Sequence, residues 1–169
     1  FGNDKEFLQV ELNHFIKMIQ TELETAIIGI GQTSLEREIG NLLRTGKKTL
    51  VTAESCTGGH LAHQISSVPG ASDYFLGAVV AYQNHIKETL LNVAPEILET
   101  SGAVSEACVI AMVKGSCEKF NSDFAIATSG IAGPGGGTPE KPVGTVWIAY
   151  GTKDSIETKK FQFTRDRIR

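Results

Sequence analysis

Three short apolar runs, each cut off by polar or glycine-rich residues, constrain this chain more than any other feature. TLVTAE (49–54), FLGAVVAY (75–82) and DFAIATSG (123–130) have the length and β-branched character of buried strands. Segments of helical period separate them. After Gly58-Gly59, Leu61, Ala62 and Ile65 recur at helical spacing up to Pro69. A short helix is expected over 84–91 and another from Pro95. Ser105 is placed to cap a helix whose inner face holds Val109, Met112, Val113 and Cys117. GTVWIAYG (144–151) and IETKKFQF (156–163), joined by a short polar turn, read as a hairpin. Strands alternating with helices, closed by one hairpin, predict an α/β fold. The expected form is a three-layer α/β/α sandwich around a mixed, mostly parallel sheet.

The first 32 residues fit less easily into that unit. ELNHFIKMIQTELE reads as a polar helix and TAIIGIGQ as a short strand entering a turn, so residues 1–32 are expected to be a helical linker or the tail of a preceding domain. Thr33 to Glu36 has capping-box spacing, and Leu35, Ile39, Leu42 and Leu43 form an apolar stripe behind it. The main domain is therefore expected over 33–169, with its terminal helix cut short after TRDRIR.

Charge and cysteines narrow the classes of function. A net charge of −3 over 169 residues carries no basic footprint for nucleic acid. No apolar run reaches the ~20 residues of a bilayer span. Three cysteines (Cys56, Cys108, Cys117) without CxxC spacing or a Cys/His cluster argue against a disulfide framework or a zinc site, and fit a cytoplasmic protein. His60 and His63 share a helix face but lack a third ligand in the sequence.

The chemistry collects where strands end: Glu54–Gly59, Tyr82–Lys87, Thr128–Gly137 and Thr164–Arg167. In an open α/β sheet, ligands lie beyond the carboxyl ends of parallel strands. At the first corner Ser55 has two readings, helix cap or nucleophile. As a nucleophile it needs a base, and Lys87 would serve if burial favoured its neutral amine, with Tyr82 to relay or position the proton. Cys56 is a third option, a thiol beside a helix N-terminus. The run SGIAGPGGGTPEKP (129–142) is either an anion-binding nest of N–H groups or a flexible connection, and matches no standard nucleotide loop. Arg167 can fork onto a phosphate or simply accompany Asp166 at the surface.

Taken together, TAESCTGG (52–59), AYQNHIK (81–87), SGAVSE (101–106), SGIAGPGGG (129–137) and KPVGTVW (141–147) resemble the CinA C-terminal domain family, which includes the nicotinamide-nucleotide amidohydrolases. The resemblance runs over roughly residues 35–169 and implies a C-terminal fragment of a longer CinA protein. It implies Ser55 as nucleophile, Lys87 as base and Tyr82 beside them. Thr57, Gly58, Gly59, Ser129, Gly130 and Gly133 would contact the substrate, and Arg167 its phosphate. Here Thr164-Arg165 stands before Asp166-Arg167 where the family usually has a glycine before Asp-Arg. The implied reaction is hydrolysis of nicotinamide mononucleotide (NMN) to nicotinate mononucleotide and ammonia. It calls for no metal or organic cofactor, and a homodimer is expected. The rival reading keeps the pocket as a regulatory nucleotide-binding module without catalysis. A DNA-associated competence role is suggested by the family name alone, and the acidic balance opposes it.

Overall fold

The computed structural model describes residues 4–23 and 33–163, and the chain divides into two compact units between Ile39 and Gly40. The expected strand TAIIGIGQ, Arg167 and the start of the final helix lie outside the described residues. In the first unit, helix α1 (Lys5–Leu23) starts at Asp4, whose Oδ1 accepts the N–H groups of Glu6 and Phe7. Phe7, Leu8, Leu12, Phe15 and Ile19 are exposed along it.

Helix α2 (Leu35–Thr45) crosses the division. Its cap is Ser34, whose Oγ accepts the Arg37 N–H at 3.4 Å, whereas the Thr33 hydroxyl bonds the Glu38 carboxylate. The expected apolar stripe is only partly inward: Leu35 and Leu42 are exposed, while Leu43 joins the core. Gly40 is the buried residue of this helix, and a Cβ there would come within 2.6 Å of the Tyr74 hydroxyl.

The second unit is built on five strands: β1 (Leu50–Glu54), β2 (Phe75–Val80), β3 (Phe124–Gly130), β4 (Thr145–Gly151) and β5 (Ile156–Gln162). They lie in the order β2-β1-β3-β4-β5. β1 runs parallel to both neighbours, and β4 is antiparallel to β3 and to β5. Each strand falls within two residues of its expected bounds. Helices α3 (His60–Ser66), α4 (Asn84–Leu91), α5 (Pro95–Thr100) and α6 (Glu106–Phe120) lie among the described residues of the unit, with a 3-10 turn at Ala71–Asp73.

Period-2 alternation divides β1 between two cores. Val51 and Ala53 pack with Val109, Met112, Val113 and Cys117 of α6, as the helical spacing of those residues predicts. Leu50 packs on the other face with Ile65, Ala71 and Tyr74. Helices on both faces make the three-layer α/β/α sandwich with a mixed sheet. Ser105 caps α6, its Oγ accepting the Cys108 N–H at 3.2 Å. α6 also crosses α4 closely, since a Cβ on Gly115 would sit 1.8 Å from the Leu91 carbonyl oxygen. Among the described residues no helix is long and apolar enough to cross a membrane.

Candidate active site

Parallel register brings the expected corners together. Glu54 at the end of β1 pairs with Val80 at the end of β2 and with Thr128 of β3, so the three strands reach one rim, β3 running on to Gly130. The Ser55 N–H carries the ladder one step further, donating to the Thr128 carbonyl at 3.0 Å. Because alternation continues through Glu54 and Ser55, their side chains leave on opposite faces of the sheet.

On the α4 and α6 face, Ser55 meets Lys87. Lys87 is buried, at 1% exposure, and its Nζ stands 3.2 Å from Ser55 Oγ. The same nitrogen donates to the Ala81 carbonyl at 2.7 Å and to the Tyr82 carbonyl at 3.4 Å. Two carbonyls thus fix two of its protons. The remaining position, a third proton or a lone pair, faces the serine hydroxyl. Burial pushes the Lys87 amine below its ordinary value, against the opposing pull of nearby Cys108 and Cys56. A neutral amine aimed at a hydroxyl is the arrangement a Ser-Lys pair needs.

The two reacting groups open on a cleft of about 270 Å³, also lined by Tyr82, Ala103, Ser129 and Gly133. Ser129 is buried and its Oγ donates to the Ala103 carbonyl at 2.7 Å, tying the end of β3 to the loop before α6. Tyr82 lines the cleft at 55% exposure and gives Lys87 its backbone carbonyl. Gly130 is a close-packing glycine, since a Cβ there would stand 2.6 Å from Val146 Cγ2. A second cleft of about 310 Å³ shares Gly135 and Gly136 with the first, and its far side is held by Thr138, whose N–H donates to the Lys141 carbonyl at 2.9 Å. Lys141 in turn donates from Nζ to the Ser101 carbonyl at 2.7 Å.

Thr57, Gly58 and Gly59, expected against the ligand, stand outside the lining of the Ser55 cleft. Thr57 Oγ1 bonds Thr128 Oγ1 at 2.8 Å. The Gly58 N–H donates to the Ser55 carbonyl at 3.2 Å, and the Gly59 N–H to Glu54 at 3.0 Å. Gly59 has φ +97°, which accounts for a glycine at that turn without a ligand. Cys56 lines the cleft, but burial pushes its thiol up, opposite to an activated thiolate.

Sequence reasoning missed Glu54. Its carboxylate is fully buried, and Oε2 accepts the N–H groups of Gly59 at 3.0 Å and Leu61 at 3.1 Å. Oε1 accepts the Ala62 N–H at 2.7 Å. A cap reaching forward from a strand end has no capping-box spacing, so strand alternation was the one signal that could have aimed this residue at α3. Cys108, which nothing in the sequence links to the site, lies near Lys87, and burial pushes it up to about 11. Among the described residues no cluster of three or more His, Cys, Asp or Glu is placed to hold a metal.

A family model for the CinA C-terminal domain matches residues 32–169. A CinA-like protein of Cytophaga hutchinsonii is 46% identical over 166 residues, covering 98% of this chain and 40% of that protein. The CinA-like protein of Thermotoga maritima is 44% identical over 156 residues, 92% of this chain and 38% of its own length. The chain thus spans about two fifths of these relatives. Among solved structures, the competence damage-inducible protein A of Klebsiella pneumoniae superposes with a TM-score of 0.76 at 38% identity, covering 79% of this chain and 83% of that one. A CinA superfamily protein of Escherichia coli gives 0.76 at 31%, covering 83% and 86%.

Proposed function

This chain belongs to the CinA C-terminal domain family, and on that premise we propose that it hydrolyses the carboxamide of NMN to nicotinate mononucleotide and ammonia. The observation that carries the reading is the buried Lys87 Nζ, 3.2 Å from Ser55 Oγ, with two further positions committed to backbone carbonyls. Lys87 takes the Ser55 proton while Oγ bonds to the carboxamide carbon. The C–N bond then breaks as Lys87 returns the proton to the leaving nitrogen, releasing ammonia. Water, deprotonated by the same amine, attacks the ester and frees the carboxylate and Ser55.

The oxyanion of the tetrahedral intermediate is assigned to the N–H of Cys56. That residue follows the nucleophile and lines the cleft, whereas the Gly58 and Gly59 N–H groups are already committed. Ser129 holds the carboxamide end, and the ribose phosphate runs along the glycine-rich segment toward the second cleft. Arg167 is assigned to the phosphate.

Ammonia release from NMN by the purified chain tests this. Wild type is expected to turn over, and Ser55→Ala to lose at least ~10⁴-fold in kcat while remaining folded. A fully active Ser55→Ala would remove the nucleophile assignment. Wild type that binds NMN without releasing ammonia would turn the site into a binding module.

A further inference from the structure

We propose that Glu54 is a positioning residue for the nucleophile, its carboxylate clamping the turn that presents Ser55. The inference rests on the Ser-Lys reading above. The carboxylate is fully buried, and the ion pairs among the described residues, Lys48–Asp123 and Lys153–Asp154, lie elsewhere. Its oxygens accept three backbone N–H groups at the start of α3, and Oε1 also accepts the Thr52 hydroxyl at 3.5 Å. These bonds close a ring around residues 55–58, joining the strand before the turn to the helix after it. Two further ties hold the same turn to β3, the Ser55 N–H on the Thr128 carbonyl and Thr57 Oγ1 on Thr128 Oγ1.

The clamp serves geometry at Ser55. Glu54 is fixed on the α3 side, so its immediate successor is directed at Lys87 on the other. The first turn of α3 is consumed by the clamp, and its N–H groups do not compete for the serine oxygen or the substrate. Glutamine has nearly the same shape but only one acceptor, and its NH₂ would face N–H donors.

The test pairs turnover with a measurement that does not need NMN. A fluorophosphonate probe phosphonylates an activated serine: Oγ bonds to phosphorus, fluoride leaves, and the proton passes to the neighbouring amine. Labelling of Ser55 is followed by mass spectrometry, with thermal unfolding in parallel. For a folded Glu54→Gln we expect labelling and kcat to fall together by about 100-fold, the scale of an ångström-level misplacement, with KM within about threefold. Glu54→Asp keeps the charge but shortens the reach, and is expected to fall between wild type and Gln. If Gln does not fold, Asp decides the matter.

A folded variant that labels at the wild-type rate overturns the proposal, as does a rise in KM with kcat unchanged. Wild type that labels at Ser55 but leaves NMN intact sinks the substrate reading, while the labelling rates of the variants still decide Glu54. Wild type that neither labels nor turns over sinks both.

Discussion

In β1 every residue from Leu50 to Glu54 is buried, whereas along β5 half-buried residues are interspersed with exposed ones from Ile156 to Gln162. The contrast extends to the two halves of the sheet. The parallel half, β2-β1-β3, brings three carboxyl ends to one rim, where Ser55, Lys87 and Ser129 meet. Reversed strands cannot stack their ends in this way, so β4 contributes packing instead, such as Val146 against Gly130. Chemistry collects where strand direction repeats, and β1, at the centre of that half, is buried along its whole length.

After Ser55, the largest effect that should separate the halves is at Lys87. Lys87→Met is expected to lower kcat by about 10³–10⁴-fold, the range of a lost general base, with cooperative unfolding retained. A steady-state assay beside a thermal melt reads both. Next comes Gly115→Ala in α6, which drives a Cβ into the Leu91 carbonyl of the helix carrying Lys87. It should cost about 3 kcal/mol by chemical denaturation and lower kcat too, linking stability to activity on this side of the sheet.

The pH dependence of turnover isolates the Lys87 amine. Burial lowers the Lys87 value, and the neutral amine is the working form, so kcat/KM should rise through an acid limb below the ordinary lysine range. The sign for stability agrees. Between the folded and unfolded values the native state holds fewer protons, so the cost of burying Lys87 fades and stability grows as pH rises through that window. Replacing Lys87 should abolish that limb from any residual activity.

Asp123 sits at the opposite end of the parallel half and has the reverse sign. Its hydrogen bond to Lys48, then those to Thr49, hold it at about 2. Its contribution is full above roughly pH 4, the ordinary carboxylate value, and is lost as pH falls through about 2. The melting temperature of Asp123→Asn should therefore lie below wild type at neutral pH, with the gap closing in acid. Smallest of all is Tyr150→Phe on the antiparallel half, which removes an exposed bond to Glu157. It should move stability by less than ~0.5 kcal/mol and leave turnover alone.

Most of the fold was legible because its strands are short apolar blocks and its best helix, α6, carries both a serine cap and a regular inner face. The α2 stripe misled, since Gly40, not a large apolar residue, makes its close approach to Tyr74. Within the site, residue types and their order marked Ser55 and Lys87. The carbonyls of Ala81 and Tyr82 could not be seen, because any residue supplies a carbonyl and only the turn after β2 aims it. Glu54 escaped for a related reason. Its backbone partners are five to eight residues ahead, at no helical spacing, and exist only once α3 folds back over the strand.

The division of Glu54 and Ser55 between two faces also makes turnover a proofreader of strand register. A slip of β1 by one residue would swing the carboxylate toward the Lys87 amine and send the hydroxyl to the start of α3. An ion pair would then occupy the place of the nucleophile, holding the lysine charged and silent as a base. A single-residue insertion in β1 should therefore yield a chain that can still form a sheet yet has exchanged a reaction centre for a salt bridge.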